Sequence, residues 1–279
     1  MTGEPSAYAG RTIVFGTMHG KERLAANAFA HRLDATVIAP DHVDTDQLGT
    51  FAGDVARTLS PLTAATVKAR LGMQITGLPY GLASEESFAS SLIGVETTEI
   101  LVFVDADRGF EIVEQSFGSS ELLAARPVDS VGDALAYAET IGFPHQGVLL
   151  QARHDSGVVI HKSIGTTAAL AELAAHALDE EMALTVLPDH RAHRSPARAE
   201  RIALLCDRMA RRLATRCPEC ATPGFGLVDV ERGLPCSMCG NLTAAIAADL
   251  IGCAVCGERH RRPRAVRSAD PAGCDHCNP

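Results

Sequence analysis

Residues 12–33 read "TIVFGTMHGKERLAANAFAHRL", and the interpretation of this stretch decides the fold. "TIVF" is a short apolar run bounded by glycine, as expected of a buried strand. "ERLAANAFAHRL" spaces its apolar residues as a helix does. Between them, "GTMHGKE" (16–22) is a glycine-containing turn that carries Thr17, His19, Lys21 and Glu22. A strand that passes through such a turn into a helix sets backbone N–H groups at a helix start, where anions bind. His19 adds a proton carrier and Lys21 a cation. The plain alternative is a connection that happens to be polar.

The same alternation continues along the chain. "ATVIAP" gives a second strand, residues 41–60 an irregular polar loop, and "SPLTAATVKARLGM" a helix with proline at its first position. "YGLASEESF" reads as a strand running into a turn. "EILVFVDADRGFEIVEQS" and "GVLLQARHDSGVVIHKS" read as hairpins, "SVGDALAYAETIG" and "TTAALAELAAHALDE" as helices, and "ALTVLP" as a last strand. The expected fold is α/β, a mixed sheet covered by helices, over residues 1–194. A basic amphipathic helix over 195–216 then links this body to a tail at 217–279, with Cys206 on its apolar face.

Composition excludes several classes. Apolar content of 46% supports a real core, and no apolar run approaches the roughly 18 residues that span a bilayer. With no basic-then-apolar leader, the expected location is the cytoplasm. Residues 1–190 carry 11 basic and 25 acidic residues, a net −14, whereas 191–216 carry eight arginines against Glu200 and Asp207. An acidic body repels polyanions, so a phosphate-bearing ligand needs a local basic or metal-lined pocket. Lysine is scarce: Lys21, Lys68 and Lys162 stand against 22 arginines.

The tail has the strongest motif. Eight of the nine cysteines form four CxxC pairs: Cys217/Cys220, Cys236/Cys239, Cys253/Cys256 and Cys274/Cys277. Each pair is a knuckle that sets two thiolates on one side of a tight turn, and two knuckles make a tetrahedral zinc site. Four pairs imply two structural zincs. Sequential pairing, first with second and third with fourth, is the expectation; nested pairing is the alternative. Closed four-sulfur sites hold structure rather than perform chemistry.

Polar residues fall at strand ends: Thr17, His19 and Lys21, then Asp46, Lys68, Glu85 with Glu86, and Asp105 at a hairpin tip. Clustered carboxylates with lysines suit magnesium- or manganese-assisted chemistry on a phosphate, with oxygen ligands for the cation and ammonium groups for the anion. Glu85 and Glu86 point to opposite faces of a strand, so only one faces a given site. Arg191 and Arg198 either reach this site or lie on an exposed basic face, and the exposed face is the expectation.

The motifs "TMHGKE", "DQLGTFAGD", "SPLTAATVKA", "LASEESF", "VFVDAD" and "DHRAHRSPAR", with a tail from "CPEC" through "GLPCSMCG" to "CDHCNP", together resemble a bacterial family known as a domain of unknown function. The chain departs from that family's pattern at Glu86, where glycine is usual, which favours Glu85 as the functional acid. More remotely, the order of elements is similar to nucleoside triphosphate pyrophosphatases that remove non-standard purine nucleotides. That resemblance implies Lys21 on phosphate and Glu85 on metal. The expected function is a metal-dependent hydrolase or transferase on a phosphorylated, nucleotide-like small molecule. Lys21, Glu85 and His19 would be catalytic, and Thr17, Asp46, Lys68 and Asp105 would bind cofactor. The tail would close over the site or dimerise. The alternative is a zinc-ribbon adaptor that grips RNA or protein through its arginine-rich segments, among them "RHRRPRAVR" (259–267).

Overall fold

A computed structural model describes residues 5–50, 55–91, 94–120, 125–155 and 157–279. The "FAGD" end of the polar loop and Ser156 of the second hairpin tip lie outside them. The opening stretch folds as its pattern dictates: β1 (Thr12–Phe15), a turn, then α1 (Glu22–Leu33). Next come β2 (Thr36–Ile38), α2 (Pro61–Thr76), and three long strands, β3 (Tyr80–Ser91), β4 (Gly94–Asp105) and β5 (Phe110–Ser120). Ser60 caps α2 by accepting from the Thr63 N–H, with Pro61 at the first helical position.

The strand order is β2-β1-β3-β4-β5. β1 runs parallel to both β2 and β3, while β3, β4 and β5 form an antiparallel meander. The chain therefore leaves β1 toward one side, for β2, and returns to the other side, for β3. Such a reversal opens a crevice at the carboxyl ends of the strands.

The pleat sorts the strand residues between two layers. Leu82, Leu101 and Phe103 face α1 and the later helix α5 (Pro196–Ala214), packing with Phe29, Ile202 and Met209. Ala83, Ile100 and Val102 face α2 and pack on Ala65 and Ala69. Gly16 ends β1 where α2 crosses it, and a Cβ there would lie 2.0 Å from the Lys68 carbonyl oxygen. Only a glycine lets α2 come this close and bring Lys68 to the strand end. Gly16→Ala is expected to cost about 1–3 kcal/mol through overpacking. Denaturant unfolding checks this, and an unchanged midpoint would contradict the crossing.

The remaining body strands form a second sheet, a departure from the single sheet expected. β6 (Arg126–Val128), β7 (Val148–His154), β8 (Gly157–His161) and β9 (Ala183–Pro188) are ordered β6-β9-β7-β8, all antiparallel. α3 (Val131–Ile141) and α4 (Thr167–Asp179) enclose its core around Tyr137, Leu150, Leu170 and Val186. The first sheet stops at β5 because arginines of α5 occupy that edge: Arg212 donates to the Val113 carbonyl at 3.4 Å, and Arg208 to that of Gln115. Guanidinium groups thus take acceptors that another strand would use. α5, expected as a linking helix, lays Ile202, Leu205, Cys206, Met209 and Leu213 into the first core.

In the tail, β10 (Gly226–Arg232), β11 (Ile246–Gly252) and β12 (Arg259–Pro263) form an antiparallel sheet flanked by the knuckles.

Candidate functional site

The tail sheet decides which cysteines meet. β10 leaves the first knuckle and pairs antiparallel with β11, so Gly252 at the end of β11 lies opposite Gly226 at the start of β10. The knuckle after β11, Cys253/Cys256, therefore returns to Cys217/Cys220. β12 runs back along β11 toward the other end, where Cys274/Cys277 meets Cys236/Cys239. First pairs with third and second with fourth. This interleaving replaces both the sequential pairing expected from spacing and its nested alternative.

Within each cluster the Sγ atoms sit 3.6 to 3.9 Å apart across the knuckles. Tetrahedral zinc with Zn–S bonds of about 2.3 Å requires sulfurs roughly 3.8 Å apart, so both clusters can hold zinc. The Met238 and Val255 backbone N–H groups donate to Cys236 Sγ and Cys253 Sγ, each at 3.4 Å.

A second constellation lies at the crevice between β1 and β3. It is a cleft of about 520 Å³, counted out to its open mouth, between the two body sheets. The first sheet unit contributes His19, Lys21, Asp46, Lys68 and Glu85. The second contributes Leu149, Lys162, Asp189, His190 and Arg191, and Arg198 enters from α5. All three lysines of the chain line this one cleft.

The pleat separates the two strand acids. Glu85 points toward α2, where Lys68 Nζ meets one carboxylate oxygen at 2.6 Å and Arg57 meets the other at 3.0 Å. Burial alone would raise the Glu85 pKa, but Lys68 and Lys21 outweigh it and hold the group below the ordinary carboxylate range. Glu86 points toward α5 with Glu99. Arg198 Nε reaches Glu99 at 2.9 Å and Glu86 at 3.1 Å, and Arg201 reaches Glu86 at 2.9 Å. Burial, reinforced by Glu99, raises the Glu86 pKa despite both arginines. Arg198 also donates to the His190 carbonyl at 2.7 Å, tying the first sheet to the loop after β9.

Lys21 stands just ahead of α1 and is 6% exposed. Its ammonium donates to the Ser84 carbonyl at 2.9 Å and to Ser84 Oγ at 3.1 Å. Among the described residues, no carboxylate lies within 4 Å of it. Burial first, and Arg198 second, lower its pKa to about 8. His19 Nε2 lies 3.1 Å from Asp46 Oδ1, and the His19 N–H donates to Thr17 Oγ1 at 3.0 Å. The bond to His19 holds Asp46 below its ordinary range. Burial and the nearby Arg198 lower His190 to about 4, so its ring is neutral at neutral pH.

His19, Lys21, Asp46, Lys68 and Glu85 are thus brought together; Thr17, buried at the turn, supports His19 from behind. Asp105 is not among them. It lies opposite Tyr80, five residues along β3 from Glu85, which is about 17 Å of strand. There it accepts from Tyr8 Oη at 2.9 Å and from Arg108 Nη1 at 2.9 Å. It braces the hairpin.

Of the carboxylates expected to hold magnesium or manganese, Glu85 and Asp46 share the cleft and Asp105 does not, and each is engaged by a cation or a histidine. Among the described residues, the two cysteine clusters are the sole groups of three or more metal-ligating side chains in ligating range of one another. Among the described residues that line the cleft, none belongs to the tail.

Arg191 and Arg198 line the cleft rather than an exposed face. Seven of the eight arginines in 191–216 lie within 4 Å of a carboxylate. Sequence reasoning missed Lys162 as a site residue. Its rarity was the available signal, since arginine fills nearly every other cationic position.

No helix of the described residues is long and apolar enough to cross a membrane. Residues 68–279 match the family profile of a domain of unknown function, DUF6671. No curated protein matches the chain.

Proposed function

The chain belongs to the DUF6671 family, and we propose that it is an enzyme acting on a phosphorylated small molecule held in the cleft between its two body sheets. The observation that carries this reading is the convergence of Lys21, Lys68 and Lys162 on one cavity of an otherwise acidic body. Arg191 and Arg198 add two more cations, against three carboxylates. A local excess of positive charge behind low-dielectric walls concentrates anions, and here it does so against the sign of the whole molecule.

The parts have distinct roles. The ammonium of Lys21 uses two of its three protons on Ser84 and leaves the third position for the ligand in the cleft. Lys68, positioned by Glu85, and Arg191, positioned by Asp189, flank the anion. His19 is the proton carrier: Asp46 binds its Nε2–H and so leaves Nδ1 as the base. The cysteine-rich module supplies stability through zinc and takes no part in the chemistry. Glu85 and Asp189 are already paired with protein cations, so the proton transfers are assigned to His19 rather than to a metal-bound water.

An adaptor that binds RNA fits less well. The arginines of α5 are spent on internal carboxylates, and Arg261, Arg262 and Arg264 of the tail pair with Glu231 and Asp249.

Titration of the zinc-loaded chain with pyrophosphate tests the reading. Binding is expected, and Lys68→Ala and Arg191→Ala should each weaken it about tenfold, the loss of one charge-assisted contact. Undiminished binding by both variants would place the anion elsewhere.

A further inference from the structure

Lys21 is the one cleft cation whose role in anion binding does not account for its setting. It is buried, lacks a carboxylate partner within 4 Å among the described residues, and has Arg198 and Lys68 as cationic neighbours. Lys68 has Glu85 at 2.6 Å and Arg191 has Asp189 at 2.7 Å. A lysine kept only to attract phosphate gains from an exposed, permanently charged head. A lysine kept as a nucleophile needs the opposite, a dry pocket and neighbouring positive charge that favour the neutral amine.

We infer that Lys21 is a covalent catalyst, forming an imine with the carbonyl carbon of a phosphorylated aldehyde or ketone. This rests on the phosphate reading above and names its substrate class. With Nζ anchored on the Ser84 carbonyl and hydroxyl, the remaining tetrahedral position is a lone pair once the ammonium gives up a proton. That lone pair attacks the carbonyl carbon, a C–N bond forms, and the C=O π pair moves to oxygen, which takes a proton. The nitrogen loses a proton to give a neutral carbinolamine. Protonation of the carbinolamine hydroxyl expels water, and the nitrogen lone pair closes the C=N bond of the iminium. His19, held by Asp46, is the cleft's proton carrier for these transfers. Lys68, Lys162 and Arg191 hold the phosphate, and the acids Glu85 and Asp189 hold two of those cations in place. Burial also lowers the Lys21 pKa to about 8, so a useful fraction is neutral near physiological pH.

The test uses pyridoxal 5′-phosphate, a phosphorylated aldehyde, with borohydride reduction and peptide mass mapping of the zinc-loaded full chain. Three lysines and the amino terminus are the only primary amines, so the map is complete. The expected result is a reduced adduct on Lys21, with labelling about tenfold lower when pyridoxal without the phosphate is used. Labelling should be suppressed by pyrophosphate and lost in Lys21→Arg, a variant checked for zinc content and helicity. An adduct confined to Lys68, Lys162 or the terminus, or equal labelling by both aldehydes, would overturn the proposal. So would a wild-type chain that binds pyridoxal 5′-phosphate in competition with pyrophosphate yet gives no adduct, and the anion site would then stand. Neither binding nor an adduct would overturn both readings.

Discussion

Replacing Cys217 and Cys253 together by serine removes one zinc and leaves the other bound. Replacing Cys217 and Cys236 removes both. These opposite outcomes follow from the interleaved clusters, in which Cys217 and Cys253 share a site and Cys217 and Cys236 do not. Sequential pairing of the knuckles would reverse the two results. The effect is large because a structural zinc in a small domain contributes about 10–16 kcal/mol of apparent binding free energy, and that energy is folding energy. The tail cannot replace it: the three strands offer few buried apolar side chains, Ala248 being the one fully enclosed. Zinc measured per chain by elemental analysis reads the stoichiometry directly. Chelation of wild-type protein should unfold the tail while the helical signal of the body, with its own cores, persists.

Arg198→Ala should be the most damaging single substitution in the body. The side chain is 6% exposed and its guanidinium spans Glu99, Glu86 and the His190 carbonyl. Removing one partner of a buried ion pair leaves an uncompensated charge and costs about 3–5 kcal/mol. Arg201 still contacts Glu86 at 2.9 Å, so Glu99, wholly buried, is the carboxylate left bare. The melting temperature should fall by roughly 10 °C. The pH dependence has a definite sign. Glu86, raised already by burial and by Glu99, also loses Arg198, the strongest of the charges that hold its pKa down, so the penalty is present at neutral pH and shrinks as pH falls and the acid protonates. A deficit that stays constant down to pH 4 would show that lost packing, not the bare charge, is responsible.

The local devices of the fold were legible in the sequence. Ser60, Ser130 and Thr166 cap their helices with their hydroxyls, and the "DADRG" tip joins β4 to β5 as its turn residues require. The four knuckles and their capacity to hold zinc were equally plain. Knuckle pairing was not, because it depends on the antiparallel register of β10, β11 and β12 rather than on the spacing of cysteines. The division into two sheets was hidden for a related reason. β6 is three residues long and pairs with a strand more than fifty positions away, so it leaves no periodic signal. His19, Lys21 and Glu85 could be placed at strand ends, but Asp105 was drawn into the same group because a one-dimensional pattern does not reveal which end of the sheet a strand terminus occupies. Lys21, Lys68 and Lys162 come from three separate elements, and their meeting is a fact of tertiary structure.

The central claim is that the cleft receives an anion beside Lys21, and calorimetric titration of pyrophosphate at pH 8.5 in buffers of different ionisation enthalpy tests it most directly. With a Lys21 pKa of about 8, much of the amine is neutral at that pH. A bound phosphate favours the ammonium and raises its pKa, so the protein should take up protons on binding, and uptake should vanish near pH 6, where Lys21 is already charged. Proton uptake that is lost in Lys21→Arg is the predicted result. Binding without uptake at pH 8.5, or uptake undiminished in Lys21→Arg, would contradict the account.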